Sequence, residues 1–400
     1  MGYQTSSAID ATVTALAAGF SSHATKFTLP IPTHDNKSIV GLKIANASAP
    51  DRIPVLFTGG VHAREWAPPD ALLGFCTRLL AAATTNTAIT YAPFTDADGV
   101  VYEGYTVSAA RVQAIADKFD VFVVPCANPD GRDFSMRGAA QLHKMWRKNR
   151  RPDPCPGVDL NRNFAITWDA DTYFSAAAAP TANVSKNPCS DVFRGPSPAS
   201  EPETRNLAAL VANERIQYLV DVHMSGRTIL FPWGMETDQS NEPGKSFLNP
   251  LFDRTPLNPA GGRDGLLGTA YAEFVPDNVL DPRGRLHERL RLLADSMALE
   301  ILTSAGPNPN AKRRSTYIPK QSVGLYPTTG AFDDFTFSTQ FTNPLLPNIH
   351  AYTLECGLER GGIPSDPTDD DGGFWPDFVK QFPKVEREVH AALFGLLSAI

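Results

Sequence analysis

The segment at residues 58–70, with the sequence TGGVHAREWAPPD, constrains the fold and the chemistry of this chain more than any other. It follows an apolar run at residues 53–57 that predicts a buried strand, and its Pro-Pro pair predicts the first turn of a helix. His62 and Glu65 therefore lie in a strand-to-helix turn, which is where open α/β sheets bind their ligands. A histidine and a carboxylate at this spacing are a candidate zinc pair, and a catalytic zinc needs a third protein ligand.

Two further apolar runs deliver candidates for that third ligand and for a catalytic base. Residues 216–222 predict a strand that leads into His223, and residues 349–354 predict one that leads into Glu355. We expect His223 to complete the zinc site, although a lone histidine is more often a surface or satisfied core group. We expect Glu355 to carry the proton from water to the leaving amine, although a carboxylate here can also serve only to cap the strand.

The transition state of such a hydrolysis also needs a positive donor for its developing oxyanion. Arg147, in the basic run at residues 143–151, and Arg162 are both candidates for this donor. A basic run is otherwise typical of a solvated face, but Trp146 within it makes full exposure unfavourable.

Strands that alternate with helical segments predict an α/β fold, in which a mixed, mainly parallel central sheet is covered by helices on both faces. We expect residues 1–400 to form a single catalytic domain. Residues 38–46 and 53–57 predict two strands that we expect to be neighbours. Residues 236–283 are rich in Gly, Pro and Asn without clear periodicity, and we interpret them as a loop-rich insertion flanking the site.

Smaller stretches complete the prediction. Residues 7–19 and 285–302 have the apolar periodicity of amphipathic helices. A surface loop, a turn and a linker are predicted at residues 84–98, 128–131 and 307–320, respectively.

The composition argues against several classes of partner. A net charge of -7 and the lack of a basic stripe argue against nucleic acid. No apolar run approaches the ~20 residues of a membrane-spanning helix, so we expect no membrane association. The first residues, MGYQTSSAID, lack the pattern of a signal peptide, which indicates either a cytosolic protein or a mature form with an added start methionine.

Taken together, these motifs resemble the zinc metallocarboxypeptidases of the pancreatic A/B type. The matching segments follow the family's order along almost the whole chain: GGVHAREWAPP, NPDG, MWRKNRR, PGVDLNRNF, SEPET, VDVHMSG and TLE. The resemblance implies one zinc ion per chain, held by His62, Glu65 and His223. It further implies that Glu355 acts as general base and then as general acid, and that Arg147 polarises the scissile carbonyl and stabilises the oxyanion.

The resemblance also implies a substrate with a free C-terminal carboxylate, as in peptides and proteins. Asn161 and Arg162 match the pair that binds this carboxylate, and Tyr326 matches a mobile tyrosine that closes over it. A planar guanidinium suits the task because it binds a carboxylate with two hydrogen bonds. Arg64 matches a subsite arginine, and Asp159 matches a carboxylate that orients the first zinc histidine.

Specificity in this family depends on the residue seven places beyond the mobile tyrosine, which is Asp333 here. The resemblance implies a preference for C-terminal Lys or Arg, because a buried carboxylate attracts a basic side chain and disfavours an apolar one. The Ala331-Phe332 pair departs from the small pair usual before this position. We therefore hypothesise a preference for C-terminal Lys or Arg, and mixed specificity caused by Phe332 is the alternative.

Of the five cysteines, Cys155 and Cys189 match the family's disulfide-bonded pair. Such a bond forms in an oxidising compartment, so we predict a secreted enzyme whose signal and any pro-segment are absent from this sequence. Cys126 and Cys356 both follow predicted strands near the site, and a second bridge between them stays open.

Two alternative functions also stay open. A zinc deacylase or cell-wall amidase acting on acyl-amino acids can use the same scaffold, but the Asn161, Arg162 and Tyr326 match favours free peptide C-termini. A degenerate, non-enzymatic binding domain usually lacks a metal ligand or the base, and this sequence has all of them. We expect the protein to be a monomer.

Overall fold

The computed structural model describes residues 2–46, 51–96, 98–138, 140–174, 176, 179–235, 249–259, 286–343, 345–357 and 373–400. Of the predicted insertion at residues 236–283, only residues 249–259 fall within these ranges, and the rest lies outside the described residues.

The α-helices of the described residues are α1 Ser6–Gly19, α2 Ala67–Thr85, α3 Ala109–Lys118, α4 Pro129–Ser135, α5 Gln141–Lys144, α6 Ala170–Tyr173, α7 Pro202–Asn213, α8 Leu286–Ser304, α9 Pro309–Arg314, α10 Phe332–Thr342 and α11 Phe382–Ala399. The strands are β1 Ala24–Thr28, β2 Val40–Ile44, β3 Ile53–Gly59, β4 Ile89–Tyr91, β5 Phe94–Thr95, β6 Val101–Tyr102, β7 Tyr105–Val107, β8 Phe119–Val124, β9 Tyr218–Met224, β10 Thr228–Phe231, β11 Ile318–Gln321 and β12 His350–Cys356.

One mixed sheet organises the described part of the chain, with the strand order β1-β2-β8-β3-β9-β12-β10-β11. The pairs β3–β8, β3–β9, β9–β12 and β10–β11 are parallel, and the pairs β1–β2, β2–β8 and β10–β12 are antiparallel. In β9 every residue from Leu219 to Met224 is buried, which requires cover on both faces of the sheet. The predicted mixed, mainly parallel sheet between helices is therefore confirmed.

The expected pairing of the strands at residues 38–46 and 53–57 is wrong. In the sheet, β8 lies between β2 and β3, so that Val123 pairs with Leu42 on one side and with Phe57 on the other. β8 is buried at five of its six positions. A strand with such a continuous apolar run takes an interior position, because both of its faces must be covered.

Helices α2 and α8 follow the predicted apolar patterns closely. α2 begins at Ala67, with prolines in its first turn, and ends before Asn86, which has the left-handed conformation (φ 50°) of a helix C-cap. In α8, four predicted inward residues are buried: Leu290, Leu293, Met297 and Ile301. Helix α11 packs against both α2 and α8.

The stretches predicted as irregular contain short elements. The predicted loop at residues 84–98 includes β4 and β5, which pair with β7 and β6. The predicted turn at residues 128–131 is the start of α4, where the Asn128 side chain accepts a hydrogen bond from Gly131 N at 2.9 Å. The predicted linker at residues 307–320 contains α9, with Asn308 as its N-cap. Asn-Pro pairs therefore mark helix starts here as well as turns.

The expected disulfide between Cys155 and Cys189 is present, with a Cα–Cα distance of 4.9 Å. Cys76, Cys126 and Cys356 are free and buried, so the second bridge that the sequence left open is not formed. Among the described residues, no helix has both the length and the apolar character needed to span a membrane.

Candidate functional site

The turn after β3 is fixed to the end of β8 before it delivers His62 and Glu65. Ala127 N and Asn128 N donate to the carbonyl oxygens of Gly59 and Gly60 at 2.9 Å and 3.1 Å. Gly60 has a φ of 63°, a conformation that side chains with a Cβ rarely adopt. The turn therefore places both side chains at the carboxyl ends of the parallel strands.

The three predicted zinc ligands converge at this edge. His62 Nδ1 lies 2.6 Å from Glu65 Oε1 and 3.0 Å from His223 Nδ1, and His223 Nδ1 lies 3.1 Å from Glu65 Oε2. All three residues are buried, with exposed fractions of 4%, 2% and 0%. These are three ligand atoms of the types that zinc prefers, close enough to surround one ion.

A carboxylate stands behind each imidazole and fixes its orientation. His62 Nε2 is 3.3 Å from Asp159 Oδ1, and His223 Nε2 is 2.7 Å from Asp221 Oδ2. Thr58 Oγ1 donates to the other oxygen of Asp221 at 2.6 Å. Because both Nε2 atoms face carboxylates, both Nδ1 atoms are turned toward the common centre, as in zinc-bound histidines. The residues present therefore fit a zinc ion.

Asp221 is the residue of this arrangement that the sequence reasoning did not assign. It precedes His223 by two positions on the same strand, so that both side chains lie on one face of β9. The spacing of two residues in a predicted strand is the sequence signal that could have identified Asp221 as a partner of His223.

The charges of the cluster also suit a cation. Burial by itself raises the pKa of Glu65, but His62 and His223 outweigh this effect and hold the pKa well below its usual range. Burial and the Arg147 charge lower the pKa of His62. For His223, burial acts in the same direction, but Asp221 and Glu65 raise its pKa well above the usual value. A metal therefore competes with a proton at His223, and binding should weaken as the pH falls.

Glu355 lies beside the cluster, at the end of β12. It pairs in register with His223 across the parallel β9–β12 ladder, and its side chain is half-buried. Burial raises the pKa of the Glu355 carboxyl to about 7, against the opposing effect of His223. A carboxyl that titrates near neutrality is suited to both accepting and donating a proton.

Arg147 is held next to the cluster by Asp159. Its Nε donates to Asp159 Oδ2 at 2.9 Å, and its Nη1 is 3.4 Å from His62 Nδ1. Its carbonyl oxygen accepts a hydrogen bond from Ala63 N at 3.0 Å, so the backbone at Arg147 is hydrogen-bonded to the turn after β3 that carries His62 and Glu65. Asp159 thereby orients an imidazole and a guanidinium at the same time.

A cavity of about 30 Å³ opens between these groups and the segment that carries Tyr326. Its lining includes four of the predicted substrate residues and the predicted base: Asn161, Arg162, Tyr326, Asp333 and Glu355. The structure therefore brings together residues that lie almost 200 positions apart in the chain.

Arg162, which lines this cavity, has an unpaired donor. Its Nε donates to Asn183 O and its Nη1 to Asn161 O, both at 2.6 Å. Its Nη2 is buried and has no hydrogen-bond partner among the described residues. Asn161 Oδ1 accepts from Phe332 N at 2.8 Å, which leaves its amide N–H₂ as a donor. Two fixed donors at one cavity are the arrangement expected for a carboxylate ligand.

The segment that carries Tyr326 packs closely against the backbone of Arg162 at Gly330. The Tyr326 side chain is 36% exposed, and its ring centroid is 5.7 Å from Arg162 Cζ. Gly330 has a φ of 64°, and a Cβ there would lie 2.4 Å from the Arg162 carbonyl oxygen. Only glycine permits this close approach.

Asp333 is buried at the cavity with both oxygens hydrogen-bonded. Ser322 Oγ donates to Oδ2 at 2.8 Å, and Asp334 N donates to Oδ1 at 3.0 Å. Burial raises the pKa of Asp333. Phe332, which we expected to reshape the pocket, instead stacks on Phe164 with a centroid distance of 4.5 Å and is not among the described lining residues.

Arg64 lies apart from this cavity. Its guanidinium stacks on the Phe374 ring at 4.3 Å, and its pKa is lowered by burial and by the nearby charge of Arg147. Arg64 is not among the described residues that line the cavity, so its predicted role as a subsite residue stays a prediction.

Comparisons with known proteins show the family of this chain. A family profile described as zinc carboxypeptidase matches residues 9–391. Zinc carboxypeptidase A 1 of Anopheles gambiae is 32% identical over 227 residues, which make up 56% of this chain and 42% of that protein. Metallocarboxypeptidase A of Trichophyton rubrum is 30% identical over 210 residues, 50% of this chain and 41% of that protein. The chain thus spans about two fifths of the length of these relatives.

Solved structures share the fold. Bovine thrombin-activatable fibrinolysis inhibitor, in complex with tick carboxypeptidase inhibitor, superposes with a TM-score of 0.64 and 18% identity, covering 99% of this chain and 97% of that chain. Carboxypeptidase A from Helicoverpa armigera gives a TM-score of 0.62 with 21% identity, covering 99% and 74%.

Proposed function

Because the chain belongs to the zinc carboxypeptidase family, we propose that it is a zinc-dependent exopeptidase that hydrolyses the C-terminal peptide bond of peptides and proteins. The observation that carries this proposal is the buried, unpaired Nη2 of Arg162, a residue that lines one cavity together with Glu355. A buried guanidinium with a free donor selects an anion, and the C-terminal carboxylate of a peptide is the anion next to the bond to be cleaved.

Each residue of the site then has a task that its geometry supports. His62, Glu65 and His223 would hold the zinc ion, which supplies Lewis-acid chemistry that activates water and polarises a carbonyl. Glu355 takes the proton and returns it to the leaving amine, and Arg147 stabilises the negative charge on the carbonyl oxygen. Arg162 and Asn161 fix the terminal carboxylate, and Tyr326 covers it.

The test is hydrolysis of matched peptides with a free and an amidated C-terminus, with and without a chelator. We expect the free peptide to be cleaved, the amide to be cleaved at least 10²-fold more slowly, and both reactions to stop on chelation and resume with added Zn²⁺. Equal turnover of the amide would favour a deacylase or amidase instead. Undiminished activity after chelation would contradict a zinc mechanism.

The buried carboxylate of Asp333 supports a preference for C-terminal Lys or Arg. A cationic side chain in the cavity neutralises the charge of this carboxylate, whereas an apolar one leaves the charge without a counter-ion. We expect Asp333→Asn to reduce kcat/KM for peptides ending in Arg by about 10²-fold relative to those ending in Leu. Because burial raises the Asp333 pKa, the preference should also weaken as the pH falls and the carboxyl becomes protonated.

Asp334→Asn is the matched control. Asp334 is equally buried and adjacent, but it accepts hydrogen bonds from Gly234 N and is not among the described lining residues. Its replacement should leave the ratio of Arg to Leu hydrolysis unchanged. A native enzyme that prefers Phe or Leu over Arg would refute the basic preference.

We also propose that the protein works in an oxidising, extracellular compartment. The disulfide between Cys155 and Cys189 supports this location, because cytosolic reductants keep most thiols reduced.

A further inference from the structure

A second group of metal-binding side chains lies away from the zinc site, where the loop after β1 meets the start of α7. It consists of His34, Glu201 and Glu203, whose ligand atoms lie within 4.8 Å of one another. His34 Nε2 is 2.8 Å from Glu201 Oε2. We refer to these three residues as the α7 cluster.

One oxygen of Glu203, a member of this cluster, is buried and unpaired. Its side chain is completely buried, and Oε1 finds no hydrogen-bond donor among the described residues. Its Oε2 accepts from Asn149 Nδ2 at 3.1 Å, and the same nitrogen donates to Glu201 Oε2 at 2.8 Å. Asn149 cannot be flipped, because its Oδ1 accepts from Val158 N at 2.8 Å. One N–H₂ group therefore serves two adjacent carboxylates and leaves one oxygen unpaired.

The charges around the two glutamates are unequal. Glu201 Oε1 is paired with Arg151 Nη1 at 3.1 Å and accepts from Ser200 Oγ at 2.7 Å. Glu203 forms no ion pair with a described residue. Burial raises the pKa of Glu203 to about 7, with a smaller contribution from Glu201 and against the opposing effect of hydrogen bonds from its own backbone N–H and from Asn149.

Capping of α7 does not account for the position of the Glu201 carboxylate. Glu201 is the N-cap residue of α7, but its side chain makes no capping hydrogen bond to the helix. Its carboxylate is directed instead at His34, Asn149 and Arg151.

We propose that the α7 cluster binds a divalent transition-metal ion of the zinc type, with His34 Nε2 and one oxygen each from Glu201 and Glu203 as ligands. One imidazole and two carboxylates form a ligand set that suits Zn²⁺. The ion gives the unpaired Glu203 oxygen a partner and neutralises the second buried carboxylate. The His34 side chain is 23% exposed, which provides access from solvent.

The position of the cluster gives the ion a structural role. Asn149, which bridges the two glutamates, lies two residues after Arg147 in the segment that carries the active-site guanidinium. An ion there ties this segment to α7 and to the loop after β1. It touches neither the substrate cavity nor the zinc cluster at His62.

The test is the number of zinc ions per chain, measured by elemental analysis after equilibration with buffered Zn²⁺. We expect His34→Ala and Glu203→Gln each to bind one equivalent fewer than the unmodified protein. Glu203→Gln keeps the size and the Asn149 contact of the side chain and removes only its charge. His23→Ala, at a partly exposed histidine whose Nδ1 contacts Ser22, is the control and should bind the same amount as the unmodified protein.

Failure of this proposal is distinguishable from failure of the catalytic assignment. His62→Ala should remove the zinc ion bound at the candidate active site. His34→Ala should lower the zinc content by one ion per chain whichever reaction the protein catalyses. If His34→Ala and Glu203→Gln retain the full zinc content, the cluster is a hydrogen-bonded network with a neutral Glu203, and the proposal is overturned. If either variant fails to fold, the His62→Ala protein is treated with a chelator and titrated with Zn²⁺ instead. This protein retains the α7 cluster, so the absence of zinc uptake would also refute the proposed site.

Discussion

Replacement of Glu355 by Gln is expected to lower kcat/KM for a free peptide by about 10³-fold and to leave the zinc content unchanged. Gln has the same shape as Glu but cannot accept the proton that must pass to the leaving amine. The pairing of Glu355 with His223 in the β9–β12 ladder places this carboxyl beside the cluster, not within its set of ligands. Peptide hydrolysis and elemental analysis on the same preparation give both quantities.

The control for this variant is Glu214→Gln. Glu214 lies after α7, at the opposite end of β9 from His223, and its replacement should leave activity unchanged. If Glu355→Gln retained more than a tenth of the activity, another group would have to move the proton.

The same carboxyl predicts the pH dependence of the reaction. Burial raises the pKa of Glu355 to about 7, so the carboxyl is protonated, and unable to act as a base, at lower pH. A bound zinc ion favours the ionised form and moves this pKa downward. We therefore expect activity to fall with decreasing pH through a midpoint at or below about pH 7. If the acidic limb of the pH profile is the same in Glu355→Gln, the titration of a group other than Glu355 causes it.

Replacement of Arg162 by Met is expected to lower kcat/KM for peptides with a free C-terminus by about 10²- to 10³-fold. The residual hydrolysis of the corresponding amide should hardly change, so that the preference for the free carboxylate disappears. The reason is the unpaired Nη2 donor of Arg162, because the neutral Asn161 amide that remains at the cavity carries no positive charge to pair with a carboxylate. Kinetics on the acid and amide pair measure this preference directly.

Two further variants separate this effect from a loss of folding. Arg162→Lys retains the charge but not the planar pair of donors, and should recover only part of the activity. Arg205→Met, at an exposed arginine of α7, should behave like the unmodified protein. An Arg162→Met protein that binds zinc and still prefers the free acid would contradict the proposed role.

The meeting of the candidate metal ligands with the candidate base could be predicted, because these residues follow apolar runs that indicate buried strands. Parallel strands present their carboxyl ends at one edge, so His62, His223 and Glu355 were expected to meet there. Asp221 could have been found in the same way, from its position two residues before His223 on one face of β9. The roles of Asn161, Arg162 and Tyr326 needed the family resemblance, because loop residues carry no periodic signal.

Other features of the fold were outside the reach of sequence patterns. The short strands β4, β5, β6 and β7 have only two or three residues each, and they exist because of their partners in the tertiary structure. The place of β8 between β2 and β3 likewise depends on long-range pairing. Phe332 lies against Phe164 rather than in the cavity, a choice made by packing.

The type of fold and the chemical groups of the site follow from the amino-acid sequence, because burial of apolar runs sets which segments are strands and which turns follow them. Which oxygen and nitrogen atoms face each other depends on the packing of the folded chain. The unpaired Nη2 of Arg162 and the unpaired Oε1 of Glu203 both depend on this packing. Hydrogen bonds in the folded protein join residues that lie far apart in the chain. A donor or acceptor that remains free to bind a ligand can therefore be identified only when the partners of all other polar groups are known.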